Sequence, residues 1–381
     1  MVVSLFGFYL GAFLCLIFKI AIVNSSELSS DRSNNNENLN NDHLPRNCSN
    51  FNIIKKKTQA KAGICVMIKD EEGFLSEYVA YYIIHGINHI IFYDDGSTDN
   101  SKNELKPWID SGYVTIKTDW EGYLGKSAVT WGKQMHQKKM MERDCKLTLH
   151  QWNYDYHISV DIDEYNMPLK SDTTLVDEVN EIFKKNPKRG VFNVNKLNFN
   201  SKPHIMEPFN LLQIEAYLHR WHVPNKFGPK QGVMKKTVYR LKSPYYSNAT
   251  LELILECCTF HSCRQGPLKK CWKLHDDQIG NIFNKPWPDA QFVIFHYARS
   301  LEKFSLKQRT WKQHVKSGYG LEKYFDRMHG WTVDTRMLRY SCQVREFIAK
   351  ITKNNPFIRT GNWYRQYELE KNPGLYLPTF K

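Results

Sequence analysis

The stretch Tyr156-His157-Ile158-Ser159-Val160-Asp161-Ile162-Asp163-Glu164-Tyr165 decides the fold, because an apolar, β-branched run ends abruptly in carboxylates. A run such as Ile158–Val160 suits a strand covered on both faces, and ligands of open α/β sheets collect beyond the carboxyl ends of strands. Two aspartates separated by one residue project to the same side of an extended backbone, so Asp161 and Asp163 can approach one hard cation. Such a cation would neutralise a diphosphate. An isolated Asp-x-Asp is more often an acidic surface turn, so its surroundings must choose.

Upstream, Ala62-Gly63-Ile64-Cys65-Val66-Met67-Ile68 has the length and branching of a buried strand. Lys69-Asp70-Glu71-Glu72 then opens a helix, with Asp70 as its cap and the acids at its positive end. Leu75, Tyr78, Val79, Tyr82 and Ile83 form the stripe that faces the sheet, and Gly86 stops the helix. The next strand, His89-Ile90-Ile91-Phe92-Tyr93, also runs into acid and turn residues, Asp94-Asp95-Gly96-Ser97-Thr98-Asp99. Strand, helix, strand implies a parallel pair with a right-handed crossover. A helix around Asn100–Trp108, a strand at Tyr113–Lys117 and a helix through Lys133–Cys145 continue the alternation to the Asp161 strand.

Two strands therefore end in carboxylates on one expected edge. Asp94 and Asp95 are placed to accept hydrogen bonds from a nucleobase N–H or ribose hydroxyls, and the Asp161 cluster to bind metal and phosphate. Asp-Gly-Ser-Thr-Asp alone is an ordinary turn with a helix cap; the pairing gives it weight. Further on, His261 and His296 are candidate late metal ligands, because neutral imidazole can complete an oxygen-rich site, although each can equally be a packed histidine. Glu215, Glu252, Glu256, Asp276 and Asp277 lie where an acceptor side would form, and no spacing rule selects a base among them. After His296 the chain reads as a basic amphipathic helix, with Leu301, Phe304, Leu306, Trp311 and Val315 on its apolar side.

With 381 residues, 41% of them hydrophobic, the chain can bury a sizeable core. Its formal net charge of +14 suggests an anionic partner: nucleic acid, an acidic membrane surface or a phosphorylated small molecule. The basic residues are scattered, without an RNA-recognition aromatic signature or zinc-finger spacing, so most are expected on solvated faces and no nucleic-acid partner is expected. Leu5 to Val23 is apolar apart from Lys19 and about long enough to span a bilayer. It reads as a signal-anchor; a cleaved signal peptide is the rival, against which Ala21-Ile22-Val23 is a poor cleavage site. The Asn-rich stretch up to residue 60 reads as a disordered stem.

Asn47-Cys48-Ser49 and Asn248-Ala249-Thr250 are sequons usable in a secretory lumen. Of the nine cysteines, Cys15 lies in the apolar segment, leaving an even number consistent with disulfides in an oxidising compartment. Cys65 reads as a buried thiol within a strand. The cluster Cys257, Cys258, His261, Cys263, Cys271 and His275 favours disulfides over zinc, since its spacing matches no zinc template.

Met67–Tyr78 followed by Gly86–Asp99 resembles the start of a GT-A glycosyltransferase domain, and Asp161-Ile162-Asp163-Glu164-Tyr165 resembles the metal motif of glycosyltransferase family 92 and similar family-2-like enzymes. Later echoes follow in order at Ile214–Arg220, Lys236–Arg240, His261 and His296–Phe304. The resemblance implies an α/β, Rossmann-like GT-A fold, a mixed sheet flanked by helices, over residues 61–311, between an N-terminal anchor (1–23) with its stem (24–60) and a C-terminal helical extension (312–381). It implies inverting transfer of a sugar, galactose being the best-known cargo, from a UDP-sugar with Mn2+ or Mg2+ to a glycan or glycoprotein. Golgi or other secretory-pathway membrane, with the catalytic domain luminal, is the implied location.

Carried over residue by residue, Asp94 and Asp95 would contact the nucleoside, and Asp161 and Asp163 would hold ribose and metal; Lys69 joins the expected nucleotide-sugar contacts, and His296 and His261 the expected metal ligands. Asp163, Glu256 and Asp277 form the expected catalytic set. Two readings of other classes stand beside this one: an inactive secreted glycan-binding module of the same fold, and a metal-dependent nucleotidyltransferase. The latter usually carries a glycine-rich basic loop after its first strand, where this chain has Lys69-Asp70-Glu71-Glu72.

Overall fold

The computed structural model describes residues 55–120, 131–199, 207–208, 211–221, 235–245, 290–297 and 331–353, with positions 252, 254, 258–259, 262–263, 282–283, 299–300 and 303. All lie in the compact unit Asn47–Lys381. The expected anchor, nearly all of the expected stem and most of the cysteine-rich cluster lie outside the described residues, as do Glu256, His261, Asp277 and the basic stretch after Phe304. Among the described residues no helix is long and apolar enough to cross a membrane.

In chain order the elements are β1 (Ala62–Ile68), α1 (Leu75–Ile84), β2 (His89–Asp94), α2 (Ser101–Asp110), β3 (Val114–Lys117), α3 (Trp131–Gln151), β4 (Tyr156–Ser159) and β5 (Glu164–Pro168). There follow α4 (Leu175–Lys185), β6 (Val191–Phe199), α5 (Gln213–Ala216), β7 (His219–Trp221), β8 (Lys235–Arg240), β9 (Cys258–Thr259), β10 (Ser262–Cys263), β11 (Ile282–Phe283), β12 (Phe292–Tyr297), β13 (Trp331–Val333) and α6 (Ser341–Thr352). This is an α/β protein with a mixed sheet flanked by helices.

The main sheet runs β13-β7-β6-β8-β4-β1-β2-β3, with β11 on β6 and β12 joining β6 to β5. Strands β3, β2, β1 and β4 are mutually parallel, so their carboxyl ends share one edge, as the alternating sequence pattern requires. β1 is central, and all of it but Met67 is buried. A Cβ at Gly63 would stand 2.5 Å from Leu149 Cδ2, so the missing side chain lets α3 close onto this strand. β8 joins β4 antiparallel. β6 is shared: Val191–Asn195 pair with β8, while Lys196–Phe199 pair with β12.

Three local expectations give way to tertiary contacts. The first helix starts at Leu75 rather than at Lys69–Glu72, and Asp70 does not cap it. Its amino end is instead capped from α2: Glu104 accepts hydrogen bonds from Gly73 N (2.6 Å) and Ser76 N (2.7 Å). Asp70 takes a left-handed backbone (φ 52°) and accepts from Thr98 N at 2.7 Å. Second, α1 is buried over Leu75–Tyr82 rather than along a stripe, because α6 packs against it too. Gly86 does end the helix, at φ 88°. Third, Cys65 is not a free thiol; it is disulfide-bonded to Cys145 on α3.

Candidate active site

At the carboxyl edge of β1 and β2 the loops hold each other by side-chain caps. Asp94 Oδ1 accepts from Ser97 N (2.8 Å), and Lys102 Nζ approaches its other oxygen at 3.3 Å. Asp70 N donates to Ser97 Oγ, Glu71 N to Ser101 Oγ, Glu72 N to Asp99, and Asn100 N back to Glu72. Asp-Gly-Ser-Thr-Asp is therefore both turn and cap, and Asp94 shapes the edge. Asp95 accepts a hydrogen bond from Gln137 Nε2 on α3 at 3.1 Å. Burial raises its pKa, against the opposing pull of Lys69 and Gln137. Glu72, desolvated in the same interlock and near Asp99 and Glu104, is pushed up to about 7.

The quoted acidic stretch does not remain a strand to its end. β4 stops at Ser159, Glu164 N donates to Asp161 O (3.1 Å), and the chain re-enters the sheet as β5. Asp161 and Asp163 thus sit on a turn, and the alternation of a pleated strand does not set their directions. Asp161, 39% exposed, is gripped by Lys138 of α3 at 3.2 Å and Lys236 of β8 at 2.6 Å. Partial desolvation works against its ionisation, but Lys138, Lys236 and Lys196 outweigh it and hold the carboxyl well below the ordinary range. Glu164 is fully buried; it pairs with Lys196, lies 3.3 Å from Lys236 and accepts from Asp161 N at 2.8 Å. Buried charges survive when paired and hydrogen-bonded in this way.

Asp163 meets the other late strand. Strand β12 pairs antiparallel with β5 and parallel with β6, placing His296 in register with Glu164 and with Asn198. His296 Nε2 lies 3.8 Å from Asp163 Oδ1, and one potential ligand atom from each of Asp163, Glu164 and His296 lies within 4.8 Å of the others. Nδ1 of His296 faces Asn198 Oδ1 at 2.9 Å. Burial depresses the pKa of His296, opposed by Asp163 and Glu164, which favours the neutral ligand form. A carboxylate and a neutral imidazole suit a divalent cation of the Mn2+ type. Glu164 is the less available third donor, committed to two lysines.

Arg299 secures the turn from below. It is buried, pairs with Glu71, stacks 4.0 Å above Phe74, and reaches Gln213 Oε1 (3.3 Å) and Ile162 O (3.4 Å). Its backbone lies in the left-handed region, at φ 64°. Tyr82 Oη donates to Glu164 O and accepts from Asn166 N, fixing the start of β5 to α1.

Of the residues singled out in the sequence, Asp163 and His296 come together, Asp161 stands beside them in lysine pairs, and Lys69, Asp94 and Asp95 occupy the same sheet edge. Glu215 serves structure: it is buried, accepts from Leu212 N and pairs with Arg345. Sequence reasoning missed Lys138, Lys196, Lys236, Asn198 and the partner of Cys65. Their spacing carries no signal: Lys138 and Lys236 sit in scattered basic pairs that read as solvated faces, whereas Lys236 is buried, and Lys236-Thr237-Val238-Tyr239-Arg240 stands out only as a family echo.

Residues 61–245 match the family model of Glycosyltransferase family 92. No curated protein sequence matches the chain. Among solved structures it is similar to S. aureus TarS 1–349 in complex with UDP, at 11% identity and TM-score 0.33, over 82% of this chain and 75% of that one. It is also similar to glucosyl-3-phosphoglycerate synthase from Mycobacterium tuberculosis in complex with Mn2+, UDP and glucosyl-3-phosphoglycerate, at 11% identity and TM-score 0.28, over 66% and 77%. At such identities these likenesses assign no substrate. The stretch that matches the glycosyltransferase family 92 model, residues 61–245, contains both the β1–β2 loops and the acidic turn.

Proposed function

We propose that the protein is a metal-assisted, inverting hexosyltransferase of GT-A type that moves a sugar, galactose in our reading, from a UDP-sugar to a glycan or glycoprotein acceptor. The observation that carries this is the meeting of Asp163 with His296 on the sheet edge that also bears Asp94 and Asp95. Asp163 and His296 would hold the divalent cation, with Asp161 beside them. Such an ion supplies Lewis-acid neutralisation of charge on a leaving diphosphate. Asp95, with Lys69 nearby, would accept hydrogen bonds from the nucleoside. Lys138 and Lys236 keep Asp161 ionised and the turn in place. Inversion requires a base for the acceptor hydroxyl, and Glu256 or Asp277 takes that role in this reading.

The setting we propose is the lumen of the Golgi or another secretory compartment, with Leu5–Val23 as a single-pass anchor. The Cys65–Cys145 bond and a second disulfide at Cys342 support an oxidising compartment. Purified protein with Mn2+ is expected to release UDP from at least one UDP-sugar, and EDTA, Asp163→Ala or His296→Ala to abolish release. One observation favours a second reading, a glycan-binding module without catalysis: Asp161 is already neutralised by two lysines. That reading predicts glycan binding with no UDP release from any donor.

A further inference from the structure

We infer that Asn198 is a positioning residue for the metal site: its side-chain carbonyl accepts the Nδ1 hydrogen of His296 and so turns the Nε2 lone pair toward Asp163. This rests on the reading of Asp163 and His296 as the cation's ligands. Nothing in the sequence singles out Asn198. Its relation to His296 arises because the second half of β6 runs parallel to β12, with His296 and Asn198 paired in register.

A neutral imidazole has one donor nitrogen and one acceptor nitrogen, and the partner of one decides the role of the other. Asn198 Oδ1 stands 2.9 Å from Nδ1, whereas the nearest acid to Nε2 is Asp163 Oδ1 at 3.8 Å. An acceptor at Nδ1 places the proton there and leaves Nε2 unprotonated. The gap to Asp163 is longer than a hydrogen bond, yet suited to two groups that share an ion between them. The opposite arrangement, with the Asn198 amide nitrogen donating to Nδ1, would put the proton on Nε2. His296 and Asp163 would then form a donor–acceptor pair with no lone pair to offer a cation.

The surroundings make the imidazole's orientation matter more here than in a site rich in carboxylates. Asp161 is held by Lys138 and Lys236, and Glu164 by Lys196 and Lys236. Lys236 and Arg299 act on Asp163 as well, so each carboxylate of the cluster has cations competing for it, and a misaligned ring removes its one neutral donor, His296. Partners that orient a ligating histidine are worth roughly 10–100-fold in metal affinity. Asn198 is exposed, so water can partly replace it, and the effect belongs at the lower end, about tenfold.

The test uses the full chain purified in detergent, without donor, titrated with Mn2+ alone and followed by the electron paramagnetic resonance of the free ion. Asn198→Leu should weaken Mn2+ binding about tenfold, His296→Ala should weaken it further, and Asn198→Asp, an obligate acceptor, should retain it. Thermal midpoints without metal check that the variants fold. A metal-independent readout accompanies this: imidazole nitrogen chemical shifts, assigned by loss in His296→Ala, should place the proton on Nδ1 in the wild type and lose that preference in Asn198→Leu. If Asn198→Leu binds Mn2+ like the wild type while His296→Ala does not, the role of Asn198 is overturned and the metal reading stands. Asn198→Asp as weak as Asn198→Leu, or a wild-type proton on Nε2, also overturns it. If His296→Ala keeps full affinity, the ligand assignment fails, and this inference with it.

Discussion

Replacing Lys236 by methionine probes the floor of the site most directly. Its ammonium group is 1% exposed and touches two carboxylates, Asp161 at 2.6 Å and Glu164 at 3.3 Å. These partners raise its pKa despite the burial that opposes it. Removing one member of a buried pair typically costs about 3–5 kcal/mol, because the remaining charge is stranded. Here neither partner is wholly stranded. Glu164 keeps Lys196, while Asp161 keeps Lys138 and is 39% exposed to water. We therefore expect the lower end, about 3 kcal/mol, from equilibrium denaturation of Lys236→Met. UDP release should fall with it, since the Asp161–Asp163 turn loses its inner tether. Adding Glu164→Gln to Lys236→Met should cost clearly less than the sum of the single changes, as contacting residues couple by about 0.5–3 kcal/mol. A loss under about 1 kcal/mol with strict additivity would refute the view that this lysine organises the acidic turn.

Other consequences follow from the same contacts. Glu72 has a folded-state pKa of about 7 against an ordinary 4.5, so its contribution to stability is present below 4.5 and is lost as pH rises toward 7. Glu72→Gln keeps an acceptor for Asn100 N; its denaturation midpoint should match the wild type near the lower pH and exceed it above the upper one. The Cys65–Cys145 bond spans a sequence separation of 80, and closing such a loop stabilises by about 4 kcal/mol on the chain-entropy account. The double serine variant should lose about that much in denaturant titrations. It should also weaken donor binding, because α3 carries both Gln137 and Lys138 to the site.

The sequence by itself determined the alternation of strands and helices from Ala62 to Ser159, and hence that Asp94 and the Asp161 cluster would share an edge. Strand–helix–strand repeats with right-handed crossovers favour parallel strands whose carboxyl ends share an edge, and a buried strand advertises itself by an unbroken apolar run. The apolar run Val293-Ile294-Phe295 before His296 suits a packed histidine as well as a ligand, and only the register of β12 with β5 brings the ring beside Asp163. What lay beyond local reading was every contact made across the sheet. Capping rules look three residues ahead and so point to Asp70 at the amino end of α1, whereas Glu104, about a helix and a strand away, accepts the hydrogen bonds there. Asp161 and Asp163 looked like a pleated pair until the turn closed by Glu164 redirected them. Lys138, Lys236 and Lys196 come from α3, β8 and β6, and Asn198 reaches His296 only because β6 leaves β8 to pair with β12. Charge and hydrogen-bond partners of a buried carboxylate are chosen by strand order and register, which depend on how the whole chain buries its apolar faces, and no spacing within one segment encodes them.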